Sequence, residues 1–122
     1  MIRFAKQDDL DELTRLTMEN LPKFYDGHTP EFARSLLGTH LNGNEKYGFF
    51  STKKTIWVAE KNHTTLNGLL CAVEKRGKQS IKISPIIVDP TSRGEGIGTE
   101  LLTNMQDYAQ NEGIKKVYGT VN

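Results

Sequence analysis

The sequence predicts an α/β (α+β) domain built on a mixed sheet, and three observations support this fold class. Strand-like segments separated by short turns occupy residues 55–88, which is typical of an antiparallel meander. The last of them leads through a glycine-rich loop into an amphipathic helix and then into a final strand. A strand, a crossover helix and a strand form a parallel pair. We therefore expect strands 1–4 to be antiparallel, with strand 5 parallel to strand 4.

Length and composition indicate one domain that spans residues 1–122. Hydrophobic residues make up 36% of the chain and charged residues 25%, as in ordinary globular proteins. The formal net charge of +1 gives no electrostatic reason to expect nucleic acid or membrane partners. A single cysteine excludes an internal disulfide and favours a reducing compartment, so we expect the protein to be cytoplasmic.

The first half of the chain begins with a short strand at residues 2–5 and a helix capped by Asp8 or Asp9. Asp9 and Glu12 have the spacing of a capping box. A second helix is predicted from Thr29 and Pro30 to Gly38. Residues 42–45 have turn chemistry, and residues 47–54 are a loop or an irregular strand. The apolar positions of the two helices are Leu10, Leu13, Leu16 and Met18, then Phe32, Ala33, Leu36 and Leu37.

The second half contains strands at residues 55–60, 66–74, 80–88 and 114–121, with a helix at residues 100–112 that Gly113 ends. Pro85 lies inside a strand and cannot donate a ladder hydrogen bond, so it predicts a bulge or an edge. His63 is interpreted as a turn residue and Cys71 as a small core side chain. The buried face of the helix is predicted to consist of Leu101, Leu102, Met105, Tyr108 and Ala109.

The loop before this helix carries three alternating glycines, Gly94, Gly96 and Gly98. Glycines at the start of a helix leave several amide N–H groups uncovered, which favours binding of a phosphate there. A Walker loop fits poorly because no lysine follows Gly98. A dinucleotide fingerprint fits poorly because the third glycine follows the second too closely.

From Val88 the order Val-Asp-Pro-x-x-Arg-Gly-x-Gly-Ile-Gly-x-x-Leu-Leu resembles the coenzyme A pyrophosphate loop of the GNAT N-acetyltransferase superfamily. The resemblance implies helices on both faces of the sheet and acetyl-CoA as the cofactor. It also implies direct transfer of the acetyl group to a primary amine of a small molecule or peptide. At the bulge near Pro85, main-chain groups would receive the pantetheine arm, although a purely structural bulge is the alternative. The cofactor-binding residues implied in this way are Ile87, Val88, Arg93, Gly94, Glu95, Gly96, Ile97, Gly98 and Thr99.

The resemblance implies that the two N-terminal helices border the acceptor site, where Tyr25, Asp26 and His28 either touch the substrate or form a solvated loop. A general base must deprotonate the amine. The fourth strand offers no obvious one. The nearest carboxylates in sequence, Glu60 and Glu74, are interpreted as solvated strand-end residues, so the catalytic residues stay unassigned. The polar side chains of the fourth strand are Ser80, Lys82 and Ser84. The spacing of His28, His40 and His63 does not suit a metal.

The sequence departs from the family at its C-terminus, where a typical member continues into another helix and two strands. We therefore expect a C-terminally truncated domain, or a fragment of a longer acetyltransferase. An exposed edge at Val117 and Val121 predicts a homo-oligomer or a strand-exchanged dimer. The alternative function is a non-catalytic module that binds acyl-CoA and regulates through association.

Overall fold

The computed structural model describes residues 1–20, 31, 34, 37–38, 44–47, 50–75 and 80–119. In this part of the chain six strands form one sheet in the order β1-β3-β4-β5-β6, with β2 beside β3. Every pair is antiparallel except β5 and β6, which are parallel, so the predicted fold class is confirmed. The elements are β1 Ile2–Phe4, α1 Leu10–Asn20, β2 Asn44–Tyr47, β3 Phe50–Asn62, β4 Thr65–Lys75, β5 Ser80–Val88, α2 Ile97–Asn111 and β6 Lys116–Gly119.

The sheet is covered on both faces, as its central strand requires. Residues 68–72 of β4 are all buried, and a strand buried on both faces needs a packed layer on each side. Leu69 and Cys71 belong to the core under α1, together with Leu13 and Leu16. On the other face, a second core under α2 contains Trp57, Leu70, Ala72, Ile81, Ile83, Leu101, Met105 and Ala109. No helix in the described part of the chain has the length and apolar character needed to span a bilayer.

The start of α1 differs from the predicted capping. A 3-10 turn, Gln7–Asp9, precedes the helix, and the Asp9 carboxylate accepts the amide of Lys6 at 2.7 Å. The Arg3 guanidinium donates to both Asp9 oxygens, at 2.8 and 3.0 Å. The predicted capping box of Asp9 and Glu12 is wrong because Glu12 accepts instead from Arg15, at 2.7 Å. Asp9 thus joins β1 to the beginning of α1.

Several sequence predictions fall on other positions than expected, or outside the described residues. Residues 44 and 45, predicted as a turn, lie in β2, and residues 50–54, predicted as a loop or an irregular strand, belong to β3. Helix α2 begins at Ile97, three residues earlier than predicted. Gly113, with φ of 70°, follows its end as predicted. Predictions for Tyr25, Asp26, His28, Thr29, Pro30, Phe32, Ala33, Leu36, His40 and Val121 lie outside the described residues.

Candidate functional site

Strand β5 contains a bulge at Pro85, as the sequence predicts. Ile83 pairs with Ala72 and Ile86 pairs with Leu70, so two residues of β5 lie opposite the single residue Cys71. The bulge also changes which face the side chains occupy. Ile83 packs under α2, whereas Ile87, four residues later, packs under α1. In a regular strand residues four apart share a face, so one extra residue has been inserted between them.

Strand β6 pairs with β5 only before this bulge. Ser80 to Ile83 are in register with Lys116 to Gly119. Within the described residues, the last part of β5, from Ile86 to Val88, pairs with β4 on one side and has no strand partner on the other. Among the described residues, the two parallel strands are therefore joined along 80–83 and 116–119, and the carboxyl end of β5 is open on the β6 side.

The register identifies which peptide groups face this opening. The Asp89 amide donates to the Asn67 carbonyl at 2.8 Å, directly across from it, which marks a hydrogen-bonded pair. Because such pairs alternate along an antiparallel ladder, the N–H and C=O of Ile87 point to β4. Consistent with this, the Ile87 carbonyl oxygen lies 3.3 Å from where a Cβ at Gly68 would stand. The main-chain groups of Ile86 and Val88 therefore face the opening, while those of Ile87 are used by β4.

The glycine loop follows directly. Gly94 and Gly96 have φ of 89° and 79°, which residues with a Cβ rarely adopt, and Gly96 is the N-cap of α2. Among the described residues, no group accepts a hydrogen bond from the amides of residues 94–99. The first amides of an α-helix have no partner inside the helix. Arg93, Glu95 and Thr99 are exposed, and Ile97 and Gly98 are half-buried. Six amides that have no acceptor in the described part of the chain, at the positive end of a helix, form a site that suits a phosphate group.

The beginning of the loop is held by a compact set of contacts. The Asp89 carboxylate accepts the amide and the hydroxyl of Thr91, at 3.1 and 2.9 Å. These two bonds, with a smaller contribution from Arg15, lower the pKa of Asp89 below its usual value. The Ser92 amide donates to the Asp89 carbonyl at 2.9 Å, and Ser92 is buried. The loop therefore starts from a fixed turn.

Gly68 lets α2 lie close to the sheet. A Cβ at this position would stand 2.9 Å from Ile97 Cγ2 and 3.2 Å from Leu101 Cδ1. Glycine inside a strand is typical of such a close approach of backbone or helix. This signal is present in the sequence, but the sequence analysis did not use it. Gly68 thus sets the depth at which the start of α2, with its free amides, is placed over β4.

The carboxylates considered as a general base have partners elsewhere. Glu74 is buried, 8% exposed, and accepts the Tyr108 hydroxyl at 2.8 Å, so its interpretation as a solvated residue is wrong. Glu60 is half-buried and accepts from Arg3 at 3.4 Å. Ser80 is buried and Lys82 is exposed, while the side chain of Ser84 lies outside the described part. The geometry assigns no base among these residues.

The remaining candidate side chains are not arranged for catalysis or metal binding. Burial raises the pKa of the Cys71 thiol to about 12, so the thiol is protonated at neutral pH and is not a nucleophile. His63 is exposed in the turn between β3 and β4. In the described ranges no three His, Cys, Asp or Glu side chains are grouped as a metal ion would require. The chemistry that the site supports is therefore binding by main-chain groups.

Comparisons with known proteins agree with this geometry. A sequence model of the Acetyltransferase (GNAT) family matches residues 10–122. A search of curated protein sequences finds no match.

Solved structures with the same fold cover almost the whole chain. Aminoglycoside acetyltransferase AAC(6')-Iy, in complex with a bisubstrate analogue of coenzyme A, aligns with 100% of this chain and 79% of its own, at a TM-score of 0.72 and 14% identity. An aminoglycoside 6'-N-acetyltransferase complexed with coenzyme A aligns with 98% of this chain and 60% of its own, at a TM-score of 0.71 and 17% identity. A transcriptional regulator from Bacillus halodurans aligns with 100% of this chain and 81% of its own, at a TM-score of 0.70 and 16% identity. At such identities the likeness shows the fold alone, and the family assignment rests on the sequence model. The chain belongs to the Acetyltransferase (GNAT) family.

Proposed function

We propose that this protein is an N-acetyltransferase that uses acetyl-CoA and transfers the acetyl group directly to a primary amine. The observation that carries the proposal is the row of free amides at residues 94–99 beside the open end of β5. A diphosphate needs several donors at one place, and a helix start supplies them without lysine. Two structures of the same fold that contain coenzyme A or its analogue support this cofactor.

Each part of the site has a role in this proposal. The amides of Gly94, Glu95, Gly96, Ile97, Gly98 and Thr99 hold the diphosphate, and Arg93 sets the beginning of the loop. The main-chain groups of Ile86 and Val88 hold the pantetheine arm along the open side of β5, in place of the Ile87 groups that β4 uses. Acetyl-CoA would supply the activated acetyl group: the amine would form a bond to the acetyl carbon, the carbon–sulfur bond would break, and coenzyme A would leave as a thiolate that takes up a proton from water. An N–H on the open side of β5 is suited to polarise its carbonyl oxygen, as an oxyanion hole does.

The acceptor must reach the site as a neutral amine. An alkyl amine with a pKa of about 10 is mostly protonated at neutral pH, so a base or an ordered water has to remove one proton. Glu60 and Glu74 already accept from Arg3 and Tyr108, and we assign neither. We propose a small-molecule amine as the acceptor class, which the aminoglycoside acetyltransferases of the same fold support. Turnover of acetyl-CoA against a panel of amines identifies the acceptor.

The test of the cofactor site uses Gly98, where a side chain can be added without backbone strain. A Cβ there would meet only Val88 Cγ2, at an ordinary 3.7 Å, and φ is not positive. Gly98→Asp places a carboxylate beside the diphosphate. It should weaken coenzyme A binding by at least about 10-fold, because like charges brought together cost several kcal/mol. Gly98→Ala is the matched control, since it adds the Cβ without the charge.

Calorimetry of coenzyme A binding to both variants decides the assignment. Equal affinities of Gly98→Asp and the wild-type protein, with both folded, would contradict the assignment of the amides of residues 94–99 as the diphosphate site. Binding without turnover of any amine would favour the non-catalytic acyl-CoA module. Gly96 is less suitable for this test because its φ of 79° adds strain to any substitution.

We also propose that residues 1–122 act as one domain and that the protein associates with itself through β6. All four residues of β6 are exposed; Val117 is 39% and Tyr118 37% exposed. Within the described ranges β6 is paired only with β5, and a strand with one paired side presents free peptide groups to another chain. Size-exclusion chromatography with light scattering should show a dimer at high concentration. A monomer throughout would contradict the association. The single cysteine, buried as a thiol, supports a location in the reducing cytoplasm.

A further inference from the structure

Arg15 of α1 lies where the helix, β4 and the beginning of the cofactor loop meet. Its Nη2 donates to the Leu66 carbonyl at 3.1 Å, and its Nη1 lies 3.9 Å from Asp89 Oδ2. On its own helix it also contacts Glu12 and Glu19, at 2.7 and 2.9 Å. The side chain is half-buried, with 32% of its surface exposed. One guanidinium therefore contacts three elements of the fold.

The Leu66 carbonyl belongs to an irregular point of β4. Glu60 pairs with Leu66 and Ala59 pairs with Gly68, so Asn67 is an extra residue in β4. Asn67 reaches the loop twice. Its carbonyl accepts the Asp89 amide at 2.8 Å, and its Nδ2 lies 3.5 Å from Ser92 Oγ. Arg15 thus binds Leu66, the residue before the bulge, and the bulged residue Asn67 contacts Asp89 and Ser92 at the beginning of the loop.

Arg15 also interacts directly with the beginning of the loop, through the negative charge of Asp89. Asp89 accepts two hydrogen bonds from Thr91, which fix the position of its carboxylate within the turn. A guanidinium is planar and carries five donors in a fixed arrangement, so it can contact a carbonyl and a carboxylate at once. An ammonium group would reach them only as a point charge. Five residues after Asp89 the free amides begin, at Gly94.

We propose that Arg15 is a positioning residue for the cofactor loop, which it ties to α1 through Leu66 and Asp89. This inference rests on the proposed function for its effect on coenzyme A binding. In this role Arg15 touches no substrate. It sets where the turn of residues 89–92 stands, and through the turn it sets the direction of the amides that follow. A shift of α1 would then move the loop amides at the cofactor site.

The experiment compares Arg15→Met with Arg15→Lys, and uses Glu19→Gln as the control. Glu19→Gln weakens an ion pair of Arg15 on the solvent side of α1 without touching the loop. The first readout is hydrogen exchange of the Asp89 and Ser92 amides in the unliganded protein. The second is the coenzyme A dissociation constant from calorimetry. Both are measured well below the melting temperature of each variant, so that global unfolding does not contribute.

In Arg15→Met, exchange of both amides should rise by about 5-fold, and the dissociation constant by about 3- to 10-fold, as expected for losing a charge-assisted contact. Arg15→Lys should restore part of each effect, and Glu19→Gln should change neither. Exchange in Arg15→Met no faster than in Glu19→Gln overturns the proposal. So does faster exchange with unchanged affinity, because Arg15 would then only stabilise the turn.

Two further outcomes keep the proposals separable. If the wild-type protein binds no coenzyme A, the proposed function fails, and the exchange data alone decide whether Arg15 positions the loop. If Arg15→Met does not fold, Asp89→Asn takes its place, since asparagine keeps an acceptor for the Thr91 amide but loses the charge. Asp89→Asn should then raise exchange at Ser92 and the dissociation constant together. The absence of either rise overturns the proposal.

Discussion

Gly68 lets the start of α2 approach the sheet closely, and Gly68→Ala tests whether this close packing fixes the position of the cofactor loop. The added Cβ would stand 2.9 Å from Ile97 Cγ2, 3.2 Å from Leu101 Cδ1 and 3.3 Å from the Ile87 carbonyl oxygen. A contact as short as the first requires movement, and overpacking of this kind costs about 1–3 kcal/mol. The free energy of unfolding should fall by that amount, and coenzyme A should bind more weakly because the first turn of α2 is displaced.

A second substitution isolates the cause. Ile97→Ala removes the Cγ2 methyl that the new Cβ would meet, so Gly68→Ala should cost at least about 1 kcal/mol less in that background. Urea denaturation of the wild type, both single variants and the double variant gives this difference. Gly38→Ala is the matched control, since a Cβ there has nothing within 4 Å and should be neutral or slightly stabilising. An equal cost of Gly68→Ala in both backgrounds would refute the close-packing argument.

Three other perturbations test the remaining parts of the structure. Asp9→Asn should lower stability by about 1–3 kcal/mol at neutral pH. Arg3 and the Lys6 amide lower the pKa of Asp9 in the folded protein, so in urea melts this difference should be fully present above the usual pKa of about 4. It should shrink as the pH falls below that value and vanish only below the lowered pKa. Cys71 should not react with a thiol reagent in the folded protein at about pH 8, and rapid labelling of the native protein would argue against its burial. Stability should fall above about pH 8.5, because the thiol ionises there in the unfolded chain but not in the folded protein, where its pKa is raised to about 12. Tyr108→Phe removes the donor to buried Glu74 and should cost about 1–3 kcal/mol in thermal or chemical unfolding, whereas no loss would mean that Glu74 is satisfied without it.

The parts of the site that depend on local sequence were predictable. Proline cannot join a ladder, so the bulge at Pro85 follows from one residue, and alternating glycines before an apolar helix indicate a loop with free amides. The start of α2 was placed too late for the same local reason. Glycine disfavours helix, yet Gly98 lies in the first turn, where the amides need no helical partner.

The features that depend on distant residues were not predictable from one sequence. Asp9 forms no capping box with Glu12 because the Asp9 carboxylate accepts from Arg3 of β1, while Glu12 accepts from Arg15. Glu74 is buried because Tyr108, 34 residues away, lies above it and donates to it. Which of Ile86, Ile87 and Val88 face the opening depends on the ladder register with β4, and a shift of one residue would reverse the answer.

The most direct test of this account is a titration of the isotopically labelled protein with coenzyme A, followed by amide NMR. The account predicts that the amides of residues 94–99 show the largest shift changes, with those of Ile86 and Val88 changing more than that of Ile87. Saturable binding that leaves the amides of residues 94–99 unchanged, or no binding at all, would contradict it.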